Sequence, residues 1–156
     1  MGAAPCGERK PQPFLATPAF EAHARFSPDG KWIAYVSDAL GRAEVFVQPF
    51  PAGAGRWQIS TTGGDEPIWR RDGKELFYLA LDGRIMAVPL HAEGGRLQAG
   101  APQALFVAPL APPLLSGNPG HYSVSADGQR ILVNALAERT SPPITVLVNW
   151  RPEPKR

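Results

Sequence analysis

The segment Phe26-Ser-Pro-Asp-Gly-Lys-Trp-Ile-Ala-Tyr35 decides the fold, because its pattern occurs twice more in the chain. The other two copies are Trp69-Arg-Arg-Asp-Gly-Lys-Glu-Leu-Phe-Tyr78 and Val124-Ser-Ala-Asp-Gly-Gln-Arg-Ile-Leu-Val133. Each copy combines a short strand, an Asp-Gly turn and a second, strongly apolar strand. This combination predicts a β-hairpin.

The interval between the hairpins indicates a repeat architecture. Their aspartates lie 43 and 55 residues apart. A period of about 40–45 residues with four strands is typical of a β-propeller blade. The longer interval fits one blade plus an inserted loop, and the proline-rich residues 109–119 match such a loop. We therefore predict an all-β chain that forms a partial β-propeller of about three four-stranded antiparallel blades.

The prediction divides the chain into five segments. Residues 1–20 are an N-terminal tail, in which residues 13–16 are a candidate outer strand of a preceding blade or a partner for the incomplete third blade. Blade one spans 21–64, blade two with its proline-rich loop spans 65–120, incomplete blade three spans 121–150, and residues 151–156 are a tail.

The predicted strands follow from apolar runs between turn residues. Runs such as 32–36 and 76–79 are apolar without alternation, which predicts strands covered on both faces, as when blades stack. With 18 Pro and 16 Gly in 156 residues, we expect almost no helix. The strands are predicted at 24–26, 32–37, 44–48 and 57–60 in blade one, at 66–69, 75–80, 85–90 and 102–107 in blade two, and at 122–125, 130–136 and 145–149 in blade three.

The repeated Asp-Gly pairs are interpreted as structural turns. Glycine adopts positive φ without strain, and aspartate hydrogen-bonds the backbone of its own turn. Since the three carboxylates belong to different blades, we predict no metal site from them. The turn residues are Asp29, Gly30, Asp72, Gly73, Asp127 and Gly128.

Charge and cysteine content argue against several classes of protein. The net charge is +2 from 16 basic and 14 acidic residues in no long run, so we expect no nucleic-acid partner. The single Cys6 forms no internal disulfide. Residues 1–10 contain no apolar segment of a secretory signal, and no stretch approaches the roughly 20 apolar residues of a membrane helix. The sequence predicts a soluble chain.

Beyond the hairpin pattern, Phe26-Ser-Pro-Asp-Gly-Lys-Trp-Ile-Ala-Tyr-Val-Ser37 closely resembles the WD-like β-propeller repeat of TolB and its relatives. Other segments are similar to the C-terminal propeller of many bacterial membrane-anchored serine/threonine kinases. They are Glu44-Val-Phe-Val-Gln-Pro-Phe-Pro51, Arg56-Trp-Gln-Ile-Ser60, Arg71-Asp-Gly-Lys-Glu-Leu-Phe-Tyr78 and Pro143-Ile-Thr-Val-Leu-Val-Asn-Trp150. The resemblance covers about Phe14 to Trp150. The resemblance implies a propeller that serves as a sensor or scaffold module. If the chain derives from such a kinase, the resemblance implies that the propeller lies outside the cytoplasmic membrane.

Motifs of catalysis are missing from the sequence. It contains no Gly-rich phosphate loop, His-Arg-Asp loop or Asp-Phe-Gly, and Ser123 and Ser125 lack the flanking glycines of a hydrolase elbow. We predict no catalytic residue, no metal and no cofactor. The function expected is protein or ligand binding. The alternative is the gating propeller of a prolyl-oligopeptidase-type enzyme whose catalytic domain is not in this chain.

Arginines near the turns form a candidate docking rim for an acidic partner; they are Arg42, Arg70, Arg71, Arg84 and Arg130. The interpretation that the sequence favours is that they are solvated turn residues. Tryptophans Trp32, Trp57, Trp69 and Trp150 are expected to pack in the core rather than to form binding hot spots. Histidines His23, His91 and His121 are expected to be surface or strand-end residues.

Three blades are too few to close a ring, since propellers close with about 4–8 blades. An open set exposes sheet edges and an apolar face. We therefore expect the chain to be a fragment completed by the other blades of a parent protein, with a second copy as the alternative partner.

Overall fold

The structure is a computed structural model that describes residues 11, 13–53, 55–110 and 120–135. Every regular element in these ranges is a β-strand, so the predicted all-β class is confirmed. The strands are β1 (Glu21–Phe26), β2 (Trp32–Ser37), β3 (Glu44–Pro49), β4 (Trp57–Gln58), β5 (Asp65–Trp69), β6 (Glu75–Leu79), β7 (Arg84–Glu93), β8 (Arg96–Ala99), β9 (Gln103–Val107), β10 (Tyr122–Val124) and β11 (Ile131–Val133).

The strands form three antiparallel sheets in chain order. Sheet one is the meander β1-β2-β3-β4, and sheet two is the meander β5-β6-β7-β8 with β9 also paired to β7. Sheet three is the hairpin β10-β11. Short connections between sequential strands favour this arrangement, because each hairpin closes locally.

Sheet two differs from the prediction of four strands. β7 is ten residues long, and its two halves pair with different strands. The predicted loop at 92–95 contains only a two-residue turn, with φ of 57° at Gly94 and 75° at Gly95, after which β8 returns along β7. The predicted strand at 145–149 and most of the loop at 109–119 lie outside the described residues.

The sheets stack face to face, with sheet two in the middle. Alternate residues of β2 and β6 form one core between sheets one and two: Trp32, Ala34 and Val36 against Leu76, Tyr78 and Ala80. The other face of sheet two packs on sheet three, through Phe77, Leu79, Ile85, Tyr122, Ile131 and Val133. Both faces of β2 and β6 are thus buried, as the unbroken apolar runs predicted.

The outer face of sheet one is covered by the segment before β1. Phe14 and Leu15 pack against Ile33, Tyr35 and Phe46, which are each under 7% exposed. Residues 13–20 form no strand. An apolar sheet face left open would invite association, so this segment protects the end of the stack.

The three Asp-Gly segments form turns with the same backbone hydrogen bonds. In each turn the glycine N–H donates to the carbonyl three residues earlier at 2.9 Å. Each aspartate carboxylate accepts from the backbone N–H two residues later, at 3.1, 3.0 and 3.0 Å. The glycines have φ of 70°, 72° and 74°, a region that strains other residues. The repeated sequence thus produces one repeated local geometry.

Candidate functional site

A groove of about 470 Å³ lies between the turn β1–β2 and the turn β5–β6. Its apolar lining includes Trp32 and Trp69 from the two hairpins and Leu90 and Leu97 from the β7–β8 hairpin. Trp32, Leu90 and Leu97 are at most 5% exposed, so the half-buried indole of Trp69 supplies most of the apolar contact area, and its N–H is a polar group. The groove is therefore suited to an apolar side chain of a partner.

The indoles of the groove are held by neighbouring groups. Trp69 Nε1 donates to the carbonyl of Arg25 at 3.1 Å, which links sheet two to sheet one. Trp32 is 5% exposed and meets Trp57 edge-to-face, with ring centroids 5.4 Å apart. These contacts fix the orientation of both indoles, which leaves little side-chain ordering for binding.

Charged side chains of both signs line the same groove. The Arg70 guanidinium donates to both carboxylate oxygens of Asp72 at 2.8 and 3.0 Å, and this bonding lowers the pKa of Asp72. The Ser27 hydroxyl donates to Asp29 at 2.6 Å and lowers the pKa of that carboxyl group. Both carboxylates are thus engaged by their own turns.

The groove also contains two exposed cations. Arg71 and Lys74 line it, and neither side chain forms an ion pair within the described ranges. Asp29 and Asp72 are about half exposed and hydrogen-bonded within their own turns, whereas Arg71 and Lys74 are the cations that the groove presents to a ligand. They favour an acidic group beside the apolar floor.

The predicted docking rim is divided between two ends of the sheets. Arg70, Arg71 and Arg130 lie at the turns β5–β6 and β10–β11, whereas Arg42 and Arg84 lie at the opposite strand ends, near the turns β2–β3 and β6–β7. Of the five, only Arg71 lines the groove.

Three of these arginines are already paired. Arg70 also contacts Glu75 at 2.9 Å, and Arg84 contacts Asp82 at 2.5 Å. Arg42 Nε donates to Glu44 at 2.6 Å. The Arg84–Asp82 pair is exposed and contributes little stability, whereas the Glu44 carboxylate is buried. All three pairs occupy charges that a docking partner would need.

The carboxylate of Glu44 is the centre of a buried network. It is 1% exposed and accepts from Arg42, from the Ser60 hydroxyl and from the backbone N–H of Gly63. Ser60 Oγ in turn accepts from the backbone N–H of Val45 at 2.8 Å. This network fixes the chain where it leaves sheet one for sheet two, which is a structural role.

Two histidines join the first strands of the three sheets. His23 Nδ1 on β1 lies 2.5 Å from Asp65 on β5, and His121 Nδ1 before β10 bonds Glu66. Both imidazoles are only 13% exposed, so neither is a surface residue, and His23 lies within β1. His121 directly precedes β10, which agrees with the expectation of a strand-end residue. His91 is 70% exposed, in agreement with that interpretation.

Sequence reasoning missed these pairs, although the repeat contains their signal. His23, Glu66 and His121 each stand six residues before the aspartate of an Asp-Gly turn. Aligning the three copies on their turns therefore places titratable residues at one shared position. Their partners could not be read from local spacing, because the pairs are 42 and 55 residues apart.

Backbone geometry and hydrogen bonding make these pairs a structural connection. His23 and Glu66 have φ of 55° and 48°, at irregularities in the pairing of β1 and β5. Glu66 Oε2 also accepts from the N–H groups of Gly120 and His121 at 3.2 and 3.1 Å. Within the described ranges, no buried side-chain polar atom lacks a partner, and no cluster of ligating side chains is suited to a metal.

The expectation that the tryptophans pack in the core is met by the three that the structure describes. Trp32 belongs to the core between sheets one and two, and Trp57 and Trp69 pack against it while half-buried. Trp69 also lines the groove, so core packing and ligand contact are compatible there. Trp150 lies outside the described residues.

Among the described residues, no helix has the length and apolarity needed to span a membrane. Neither a scan of protein-family models nor a search of curated proteins found a match to this chain.

Proposed function

We propose that the chain is a non-enzymatic segment of a TolB-like β-propeller, similar to the C-terminal propeller of bacterial serine/threonine kinases, that binds a protein partner. Its three sheets are the blades, and the Asp-Gly turns lie on the binding side. The groove between the first two of these turns supports this function most directly, because it combines held indoles with exposed cations.

The groove chemistry defines the partner segment. An apolar side chain packs on the half-buried Trp69 indole, and an acidic side chain meets Arg71 and Lys74. Aromatic-lined grooves bind extended peptides in this manner, with pockets for alternate side chains and charges that set the register. The partner is therefore an extended peptide segment that places an acidic residue close to an apolar one.

Selection from a library of random displayed peptides tests this function. The full chain is expected to enrich peptides that contain an apolar and an acidic residue close together. The double variant Arg71→Glu with Lys74→Glu is expected to weaken their binding by at least about tenfold, because the charge complementarity is reversed.

Arg84→Glu is the matched control, since Arg84 is exposed but lies at the opposite strand ends. Its affinity for the selected peptides should equal that of the unchanged chain. Enriched peptides that bind the double variant equally well, or a library that yields no enriched peptide, would contradict the proposal.

A further inference from the structure

One position of the Asp-Gly repeat contains side chains of very different length. This position, two residues before the turn aspartate, is Ser27 in the turn β1–β2, Arg70 in the turn β5–β6 and Ser125 in the turn β10–β11. Each of the three side chains donates a hydrogen bond to the aspartate of its own turn. The position therefore accepts either serine or arginine with an equivalent contact inside the turn.

The Arg70 side chain extends from the turn of sheet two onto the turn of sheet three. A Cβ atom placed on Gly128 would lie only 2.7 Å from Arg70 Cδ and 3.4 Å from Arg70 Cγ. The same Cβ atom would lie 3.5 Å from Phe77 Cζ. The aliphatic part of Arg70 therefore fills the space between the turns β5–β6 and β10–β11.

Carboxylates hold Arg70 in this position. Its Nε and Nη2 atoms donate to Asp72 at 2.8 and 3.0 Å, and its Nη1 atom donates to Glu75 at 2.9 Å. The side chain is only 23% exposed. Since the two ends of the guanidinium group are both engaged, the side chain stays over Gly128 and keeps this space filled.

The equivalent space between sheets one and two is open. For a Cβ atom placed on Gly73, the nearest neighbouring atom would be Pro28 Cδ, 3.8 Å away. Ser27 lines the groove here, and its short side chain stays within its own turn, where it donates to Asp29 at 2.6 Å. Serine therefore leaves open, beside Gly73, the space that Arg70 fills at the next turn.

We propose that Ser27 determines whether a ligand can enter the groove between sheets one and two, because an arginine at this position would fill the groove as Arg70 fills the space beside Gly128. This inference rests on the proposed peptide-binding function and assigns to Ser27 the control of access to that same site. Ser27 acts through the size of the groove, whereas Arg71 and Lys74 act through its charge.

The variant Ser27→Arg separates groove size from charge. It adds a positive charge near Arg71 and Lys74, so charge complementarity alone would tighten the binding of an acidic peptide. A filled groove has the opposite effect, and we expect peptides selected on the unchanged chain to bind the variant at least about tenfold more weakly. Fluorescence anisotropy of the labelled peptides measures both affinities. Equal or tighter binding by Ser27→Arg would overturn the proposal.

Ser125→Arg is the matched control. It replaces the equivalent serine of the turn β10–β11, which is outside the groove, and it removes the same kinds of hydrogen bond from its turn. Its peptide affinity should equal that of the unchanged chain. Arginine is native at this position in the turn β5–β6, where the glycine N–H keeps its 2.9 Å bond to Arg70, so both variants are expected to fold.

Line broadening by a soluble nitroxide measures the size of the groove without any peptide. Ser27→Arg should reduce the broadening of the Gly73 and Trp69 signals, because the added side chain shields them. Arg70→Ser should increase the broadening at Gly128, because it removes the side chain that covers this glycine. If no peptide binds the unchanged chain, the proposed function fails, and the nitroxide result still decides the role of this position. Unchanged broadening in both variants would contradict that role.

Discussion

Each of the three turn aspartates is held in its ionised form by hydrogen bonds within its own turn. The pKa of Asp29 is lowered chiefly by the Ser27 hydroxyl, that of Asp72 by the Arg70 guanidinium, and that of Asp127 by the hydroxyl of its own turn. In each case the carboxylate also accepts a backbone N–H of the turn. Ionised aspartate therefore stabilises the folded turn.

These lowered pKa values make the fold sensitive to acid. A carboxyl group with a lower pKa in the folded state stabilises the protein above its unfolded pKa, and the contribution is lost as the pH falls through the folded value. The free energy of unfolding should decrease as the pH drops below the ordinary aspartate value of 3.8. Denaturant unfolding at a series of pH values measures this decrease.

A triple variant isolates the turns from other acid effects. The variant with Asp29→Asn, Asp72→Asn and Asp127→Asn keeps the turn geometry, but its turn side chains do not titrate. The free energy of unfolding of this variant should therefore depend less on acid pH. Glu93→Gln is the control, because the Glu93 side chain is 85% exposed and lies in no Asp-Gly turn. An unchanged pH dependence in the triple variant would show that the aspartates are not responsible.

The sequence predicted correctly those features that neighbouring residues determine. Asp-Gly turns are encoded by neighbouring residues, so the turn positions follow from composition and spacing. The partners of His23 and His121 are set by the stacking of sheets, which brings together residues 42 and 55 positions apart. The repeat reveals the shared position of these side chains but not what they contact.

The sequence predicted the strands that pair with the strands directly before and after them in the chain. β2 and β6 have unbroken apolar runs and lie near their predicted bounds, because both of their faces are buried. β8 was missed, since its pattern has one buried residue in four. Its position depends on the length of β7, which pairs with β9 at one end and with β8 at the other.

The Glu66–His121 pair connects sheet three to the rest of the stack. His121→Ala removes the imidazole from a carboxylate that is 6% exposed, which should cost about 1–3 kcal/mol. Sheet three has only two described strands, so the loss should appear there first. Hydrogen exchange should accelerate at residues 122–133 more than in sheet one.

His91→Ala is the control for this experiment, because His91 is exposed and lies outside the three linked strands. It should leave the exchange rates of residues 122–133 unchanged. Equal acceleration in all three sheets of the His121→Ala chain would show that the pair stabilises the whole fold rather than this connection.

The stacking of the sheets determines at which end each arginine lies, which the positions of the arginines in the sequence did not reveal. Alternating strand direction sends Arg42 and Arg84 to one end of the sheets and Arg70, Arg71 and Arg130 to the other. A continuous basic rim is therefore replaced by a groove in which Arg71 and Lys74 flank the indoles. Of the five predicted rim arginines, the packing of sheets one and two brings only Arg71 to the groove.

Chemical-shift mapping of a selected peptide on the isotope-labelled chain tests the binding function most directly. The largest shift changes are expected at the Trp69 indole N–H and at the backbone N–H groups of Gly73, Lys74 and His91, which line the groove. Changes centred on Glu66 and Tyr122, or along the edge strand β9, with the groove signals unmoved, would contradict it.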